Sequence, residues 1–252
     1  MLRIGLDDVF QKAFPDIVPY PPEDAPLPEA ITRSYDDRTT AWPLRFRGEL
    51  RNHILQYARD RGLLHPEDTG TMTHWYSRTP QAFLDAVKPA FMPQSGGAYR
   101  GNPTGAVWDI RDDTHLNNYW KLTEAHLAAY GQPDIFHTIG LAERKVFPDP
   151  AENHEIKLYA YRRIIEKLRQ HYPNAPLLIA SWDFYYPGWS GEEVAALLRM
   201  LNPQNTYIFD YTSDLPDKSF QNWGVVGQFP WIFGIFHAYE SESELRGNYD
   251  VI

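Results

Sequence analysis

The sequence predicts an α/β fold of the (β/α)8 TIM-barrel class, in an incomplete or truncated form. Four segments share one plan, because each begins with apolar residues and ends on aromatic or acidic ones. They are DIFHTIGLAERKVF, LLIASWDF, TYIFDYTSD and WIFGIFHAYE, at 134–147, 177–184, 206–214 and 231–240. Helical segments alternate with them, which is typical of a parallel sheet with crossover helices. Too few strands precede Ile135 for a complete barrel.

The strands themselves favour a barrel. LLIA and WIFGIF are continuous apolar runs, and such strands need cover on both faces, as in a closed barrel or a doubly wound sheet. In a (β/α)8 barrel the chemistry lies where the strands end, and the polar residues of this chain cluster there. No Gly-x-Gly-x-x-Gly or P-loop pattern follows any strand, which disfavours a dinucleotide or nucleotide site.

The upstream third of the chain contains fewer regular signals. Residues 1–43 combine a short amphipathic piece with the Pro-rich stretch VPYPPEDAPLPEA, and we expect an irregular covering segment that is not part of the core. A helix is predicted over 44–61 and ends at Gly62. The stretch LLHPEDTGTMTHWY is expected to be a loop. Thr79 and Pro80 are predicted as the N-cap and first residue of a helix.

Three longer helices are predicted downstream. The first begins near Asp112 or Asp113 and ends at Gly131, where its apolar positions stop recurring at helical spacing. The second covers 153–172, and the third is GEEVAALLRML with Ser190 as its cap. Each of these helices is followed by one of the apolar strands.

Length and composition limit the classes of function. A chain of 252 residues can form one domain, here 1–252, of catalytic barrel type. The net charge of −9 argues against a nucleic-acid partner, which would require a basic face. The absence of cysteine excludes disulfides, thiolate metal sites and cysteine nucleophiles. The N-terminus predicts no signal peptide and no stretch is long enough to span a membrane, so the compartment stays open.

The aromatic content is high. Aromatic residues make up 15% of the chain, with 8 Trp and 16 Tyr, and such rings suit a protein that stacks flat ligands such as sugars. Most of them are nevertheless expected in the core. The candidate stacking platforms are Trp75, Trp182, Trp189 and Trp223, and Trp182 is favoured because it follows a strand.

Glycoside cleavage requires one carboxylic acid that protonates the leaving oxygen and a second carboxylate that attacks or activates water. Glu143 is the candidate acid, although Arg144 and Lys145 would lower its pKa and could simply form an ion pair with it. Glu240 is the candidate partner within the chain, three strands later. The alternative for Glu240 is a solvated acidic loop, since ESESEL follows the strand.

Other polar residues at the strand ends could bind sugar hydroxyls. Asp210 lies between Phe209 and Tyr211 and is the best placed of the three acids Asp183, Asp210 and Asp214. His137 and His237 lie within apolar strands, where a histidine is more often a core residue than a ligand. No metal-ligand motif or Gly-x-Ser-x-Gly elbow occurs, so a hydrolase without metal or cofactor remains. The predicted substrate-binding residues are Trp75, Trp182, Asp183, Asp210, Tyr211 and His237.

The run VWDIRDDTHLNNYWKLTEAHLAAYGQPDIFHTIGLAE, at 107–143, resembles the α-N-acetylglucosaminidases of glycoside hydrolase family 89. In that family a similar passage leads to a strand that ends in the catalytic acid, and Leu141-Ala142-Glu143 takes that place. APLLIASWDFYYPGW, TYIFDYTSD and FPWIFGIFHAY are similar to its later strands. The resemblance implies a barrel, a carbohydrate substrate, a retaining mechanism without metal, and Glu143 as general acid/base.

The chain also departs from the family pattern. The family's His-Asn-Phe-Gly-Gly is replaced by His237-Ala238-Tyr239-Glu240-Ser241, so a sugar-binding loop has changed. The resemblance implies that the first barrel strands precede Met1 and that the family's nucleophile lies beyond Ile252. The nucleophile here is therefore either Glu240 or a carboxylate outside the chain.

The leading hypothesis is thus a glycoside hydrolase that resembles the α-N-acetylglucosaminidases. One alternative is a non-catalytic carbohydrate-binding protein or relic barrel fragment that kept the aromatic strand ends. A weaker alternative is a nucleotide-sugar or sugar-phosphate enzyme, which the missing phosphate loop disfavours.

Overall fold

A computed structural model describes residues 8–20, 44–68, 79–92, 107–141, 147–185, 189–210, 213 and 219–234. Within these ranges it contains one five-stranded sheet in which all strand pairs are parallel. The strands lie side by side in chain order, whereas a doubly wound sheet reverses its order at a switch point. This order confirms the predicted barrel class. The strands are β1 Pro66–Asp68, β2 Ile135–Thr138, β3 Leu177–Ala180, β4 Thr206–Asp210 and β5 Trp231–Phe233.

Helices connect these strands. Two long helices precede and follow β2, and shorter ones lead into β4 and β5. In the part of the chain that the structure describes, no helix is both long and apolar enough to cross a bilayer. The helices are α1 Val9–Ala13, α2 Leu44–Arg59, α3 Gln81–Val87, α4 Asp113–Tyr130, α5 Pro150–His171, α6 Trp182–Tyr185, α7 Gly191–Leu198 and α8 Ser219–Trp223.

Two helices begin and end as their caps predict. The side chain of Asp112 accepts a hydrogen bond from the backbone N–H of Thr114 and starts α4, and Gly131 ends that helix at φ +88°. Ser190 caps α7 in a capping box, because its hydroxyl accepts from the Glu193 N–H while the Glu193 carboxylate accepts from the Ser190 N–H. Both predicted caps are confirmed.

Two other helix starts differ from the prediction. α5 begins three residues early, because Asp149 caps it and Pro150 occupies its first position. Pro80 precedes the first residue of α3 and does not belong to the helix. The Thr79 hydroxyl accepts a hydrogen bond from the indole of Trp108 at 3.1 Å and makes no cap.

The two faces of the sheet differ in burial. Leu177, Ile179 and Ile208 point toward the helices, are fully buried and pack against apolar side chains of α4, α5 and α7. Leu178, Tyr207 and Phe209, at alternate positions of β3 and β4, lie on the inner face and are only half-buried. Ile232 of β5 is 39% exposed on the same face.

β1 was not predicted, since its stretch was expected to be a loop. The strand has only three residues, of which one is proline and two are acidic, so it carries no apolar alternation. It pairs with β2 at Pro66↔Ile135, Glu67↔Phe136 and Asp68↔His137. Glu67 therefore shares the helix-facing row of Phe136.

Glu67 is a carboxylate in a largely apolar layer, and it is only 4% exposed. Arg51 of α2 donates to its Oε2 at 3.3 Å, and the His65 ring lies 3.4 Å from the same oxygen. On the other side, Nδ1 of His126 in α4 lies 3.1 Å from Oε1. This buried ionic cluster joins α2 and α4 to the first strand.

The orientation of His65 is fixed by its neighbours. An Arg59 guanidinium N–H donates to its Nδ1 at 3.2 Å, which leaves the proton on Nε2, the atom that faces Glu67. The backbone N–H of His65 donates to the Asp134 carboxylate at 2.7 Å, just before β2. Arg59 also donates to the carbonyl of Tyr130 at the end of α4. These contacts hold β1 beside β2.

The surroundings of Glu67 determine its charge. Burial raises the pKa of its carboxyl, but the contacts with His126 and His65 and the charges of His126 and Arg51 lower it by more. The pKa therefore lies well below the usual range for glutamate. Glu67 is ionised in the folded protein, and its charge is balanced by the cluster.

α1 is part of the core, and the expectation of a covering segment is wrong for residues 8–20. Val9, Phe10, Phe14 and Val18 are all buried in a large apolar cluster. The Phe10 ring packs edge-on against Phe83 of α3, with ring centroids 5.4 Å apart. The amphipathic spacing that precedes the prolines thus places a helix against α3 and α4.

We expect Phe10→Ala to lower the free energy of unfolding by about 3–5 kcal/mol, because it empties a buried aromatic site. Phe46→Ala is the matched control, since Phe46 of α2 is 45% exposed, and its cost should stay within about 0.5 kcal/mol. Urea denaturation followed by tryptophan fluorescence measures both. Equal costs for the two substitutions would show that α1 does not belong to the core.

Glu67→Gln should lower the free energy of unfolding by about 3–5 kcal/mol at neutral pH, because it removes the carboxylate charge that Arg51, His65 and His126 surround in the buried cluster. Since the folded-state pKa of Glu67 is depressed, its contribution is complete above the unfolded-state value of about 4.3 and is lost as pH falls through the folded-state pKa. The difference between wild type and variant should therefore shrink below about pH 4.

Urea denaturation at a series of pH values measures this difference. Glu166→Gln is the control, since Glu166 is exposed on α5, and we expect it to leave stability unchanged at every pH. A Glu67→Gln cost that stays constant from neutral to acidic pH would contradict the ionised carboxylate.

Candidate active site

The candidate active site lies at the C-terminal ends of the parallel strands, where β2, β3, β4 and β5 end at Thr138, Ala180, Asp210 and Phe233. This edge of the sheet is called the mouth below. In barrels of this class the segments that leave the strands at this edge carry the chemistry, while the strands hold them in place. The described segments at the mouth include 139–141, 181–185 and 233–234.

The segment that leaves β2 is anchored on both sides of Glu143. The Thr138 hydroxyl accepts from the Gly140 N–H at 3.2 Å, and Gly140 turns the chain at φ +60°. Leu141, two residues before Glu143, is fully buried in the core. Glu143 itself lies outside the described residues. Phe147 is the next described residue, and its N–H donates to the Asn153 side chain at 3.4 Å.

The segment that leaves β3 carries Trp182. The Ser181 N–H donates to the Phe209 carbonyl at 2.8 Å and fixes the start of this segment against β4. Trp182 begins α6, is half-buried, and packs against Ile139 and Ala180. It therefore lies at the mouth, where a stacking platform was predicted. Asp183 follows in α6, but its side chain is outside the described set.

Asp210, the last residue of β4, is fully buried. Its Oδ1 accepts a hydrogen bond from the Ser181 hydroxyl at 3.3 Å, so its side chain connects β3 to β4. In the strand alternation Asp210 has the same parity as Thr206 and Ile208, which face the helices. Asp210 therefore connects the ends of β3 and β4 through its side chain. A contact between Asp210 and a sugar stays a prediction.

Ser213 was not singled out in the sequence, although it connects β4 to β5. Its hydroxyl donates to the Asp210 carbonyl at 3.2 Å and accepts from the Gly234 N–H at 3.3 Å. Ser213 is fully buried. The run TSD has the composition of an ordinary loop, so only the fold identifies this serine.

Several predicted site residues lie outside the described residues, and their roles stay predictions. They are Glu143, Glu240, Trp75, Tyr211, His237 and Asp214. His137 lies in β2, on the inner face of the sheet, and is half-buried.

The prediction of a stacking platform is wrong for two of the four tryptophans. Trp189 and Trp223 are buried and pack against Phe184, with ring centroids 5.4 and 5.3 Å apart. Both belong to the core between the sheet and the helices.

Two acidic residues, Asp109 and Asp112, make the hydrogen bonds that lead the backbone into α4. Arg111 donates to both carboxylate oxygens of Asp109, at 2.8 and 2.6 Å, and these hydrogen bonds lower the Asp109 pKa. The His115 ring lies 2.9 Å from the Asp109 carbonyl. Together with the cap of Asp112, these contacts determine how the chain enters α4.

The described residues contain no group of three or more His, Asp or Glu side chains arranged to hold a metal ion. A cavity of about 320 Å³ lies beside α7 and α8, and Trp223, one of the four candidate stacking platforms, is among the residues that line it. It is lined by Gly191, Ala195, Leu198, Arg199, Asn222, Trp223, Gly224, Gln228 and Phe229.

The solved structures that are similar to this fold include family 89 glycoside hydrolases. A family 89 glycoside hydrolase from Clostridium perfringens in complex with 2-acetamido-1,2-dideoxynojirmycin has a TM-score of 0.58 and 14% identity. A double Glu-to-Gln variant of the C. perfringens family 89 enzyme, in complex with its substrate GlcNAc-alpha-1,4-galactose, has the same values. A further C. perfringens complex, with PUGNAc, has a TM-score of 0.57 and 13% identity.

Each comparison covers 93% of this chain and 26% of the other chain, so this chain spans about a quarter of the length of these neighbours. At such low identity the likeness shows the fold alone. No curated protein sequence matches the chain. Residues 109–252, more than half of the chain, match the α-N-acetylglucosaminidase (NAGLU) TIM-barrel domain family. The chain therefore belongs to this family of glycoside hydrolase barrels.

Proposed function

We propose that this chain is a retaining glycosidase that resembles the α-N-acetylglucosaminidases and uses Glu143 as general acid/base. The observation that carries the proposal is that Glu143 lies in sequence between β2 and α5 and inside the family match at 109–252. Both ends of its segment, at Leu141 and Phe147, are anchored to the fold. A strand-end carboxylate supported in this way suits an acid that must meet a glycosidic oxygen.

The mechanism requires two carboxylates in sequence. Glu143, in its protonated form, donates a proton to the glycosidic oxygen while a second carboxylate attacks the anomeric carbon and forms a glycosyl-enzyme. Glu143, now ionised, then removes a proton from the water that hydrolyses this intermediate. The two carboxyl groups of a retaining enzyme lie about 5–5.5 Å apart.

The second carboxylate is Glu240 or one from outside the chain. Glu240 follows β5, and β5 lies three strands from β2 in the sheet. At about 4.8 Å per strand the two strand ends are well separated along the sheet, but the curvature of a barrel brings its βα loops together around the mouth. Glu240 can in this way face Glu143 across the mouth.

The ligands of the structural neighbours support a substrate class. Their complexes contain GlcNAc-alpha-1,4-galactose, PUGNAc and a 2-acetamido sugar analogue. A 2-acetamido sugar in α linkage is therefore our proposed substrate. Trp182, half-buried at the mouth, is the ring that we propose stacks on this sugar.

Hydrolysis of a panel of aryl glycosides tests the proposal. We expect the wild type to hydrolyse aryl α-N-acetylglucosaminide faster than the corresponding glucoside or galactoside. Glu143→Gln should reduce kcat by about 10²–10⁴-fold, because it removes general acid/base catalysis. Glu240→Gln should abolish turnover if Glu240 is the nucleophile. Glu166→Gln, at an exposed position of α5, is the matched control and should leave the rate unchanged.

The anomeric form of the first product, read by NMR, tests retention. A Glu143→Gln rate equal to that of the wild type would show that another group is the acid. Tight binding of a 2-acetamido sugar without turnover of any glycoside would instead support the non-catalytic carbohydrate-binding alternative.

A further inference from the structure

We infer that Ser213 is a positioning residue, whose buried hydroxyl sets the point at which the segment with His237 and Glu240 leaves β5. The inference rests on the proposed function in so far as that segment takes part in the reaction. Ser213 lies outside every strand and helix, yet it makes the side-chain contact between the ends of β4 and β5.

The two hydrogen bonds of Ser213 suit the chemistry of a hydroxyl. Its single proton goes to the Asp210 carbonyl at 3.2 Å, and a lone pair accepts the Gly234 N–H at 3.3 Å. Ser213 is fully buried, so solvent water does not reach it to replace either hydrogen-bond partner. A backbone group left unpaired at such a site costs about 1–3 kcal/mol, which makes the observed arrangement strongly preferred.

Steric contacts at Gly234 lead to the same conclusion. A Cβ atom at this position would overlap the Asp210 carbonyl oxygen and the Phe209 ring. The backbone of β5 therefore approaches β4 more closely than any other residue type allows. Glycine gives the space for this approach, and the Ser213 hydroxyl supplies the bond that maintains it.

Ser213 is also part of a longer connection between three strand ends. The Ser181 hydroxyl, at the end of β3, donates to the Asp210 carboxylate at 3.3 Å. Asp210 then accepts from Ser213 through its carbonyl, and Ser213 accepts from Gly234. Ser181, Asp210 and Ser213 are all fully buried. These hydrogen bonds thus connect the ends of β3, β4 and β5 into one unit.

This unit matters for the reaction because catalysis depends steeply on position. A displacement of about 1 Å at a reacting group can cost about 10²-fold in rate. Gly234 is the last described residue before His237 and Glu240. A shift at Gly234 therefore changes the starting point of the segment that carries both predicted residues.

The test compares Ser213→Ala with Ser213→Thr and with Ser190→Ala. Ser213→Thr keeps the hydroxyl and adds one methyl group to a buried site. Ser190→Ala likewise removes a hydroxyl that accepts a hydrogen bond from a backbone N–H, but at the cap of α7. It is the matched control for a loss of stability unrelated to the strand ends. Thermal unfolding, NMR amide exchange at Gly234, and kcat and KM on an aryl α-N-acetylglucosaminide are measured for each variant.

We expect Ser213→Ala to speed amide exchange at Gly234 about tenfold or more, because its N–H loses its acceptor. Exchange at Ile208, whose N–H donates to the Pro230 carbonyl at 2.9 Å, should stay unchanged. The kcat should fall about 10–100-fold with little change in KM. Ser213→Thr should restore both readouts toward wild type. Ser190→Ala should lower the melting temperature without affecting either.

Unchanged exchange at Gly234 in Ser213→Ala would overturn the inference, whatever the activity. Faster exchange with an unchanged kcat would overturn the role of Ser213 in the reaction. If the wild type hydrolyses no glycoside, the proposed function is wrong. Faster exchange in Ser213→Ala, and not in Ser190→Ala, would still support the control of the β5 end by Ser213.

Discussion

The strict alternation of side chains along a parallel sheet is the constraint on which this structure depends. Every second residue of β2, β3 and β4 faces the helices, and Phe136, Leu177 and Ile208 are buried there. β1 places Glu67 in the same layer. A buried carboxylate is tolerated only when its charge and lone pairs are satisfied. Arg51 and His126 meet this need and thereby connect α2 and α4 to the edge of the sheet.

Much of the fold could be predicted from local signals. β3 and β5 lie in continuous apolar runs, and α4 and α7 begin at residues whose side chains cap their own helices. Such information lies within a few neighbouring residues. β1 carries none, because its three residues become a strand only through pairing with β2 and through the contact of His65 with Asp134, 69 positions away in sequence. α1 was not predicted as part of the core, because the prolines that follow it indicated an irregular segment and its own run of apolar residues is short.

The location of the candidate site could be predicted from the sequence, whereas the orientation of its individual side chains could not. A strand that ends in aromatic and acidic residues marks the mouth, and Trp182 is found there. Composition does not distinguish a ring that faces the mouth from one that faces the core, so Trp189 was misassigned. The alternation of side chains along β4 could have predicted that Asp210 faces the helices, since it lies on the same side of the strand as Thr206 and Ile208. Ser213 offered no such signal, because both of its bonds depend on tertiary approach.

A site carried by loops can be accurate only if each loop leaves the scaffold from a fixed point. Glu143 lies two residues beyond Leu141, which is fully buried, so little chain separates the predicted acid from the core. Glu240 lies six residues beyond Gly234, and the positional freedom of a segment grows with its length. The departure from β5 therefore needs closer control than the departure from β2. Gly234 allows the backbones to approach, and the hydroxyl of Ser213 holds them, which places the additional constraint on the side of the mouth where the longer segment begins.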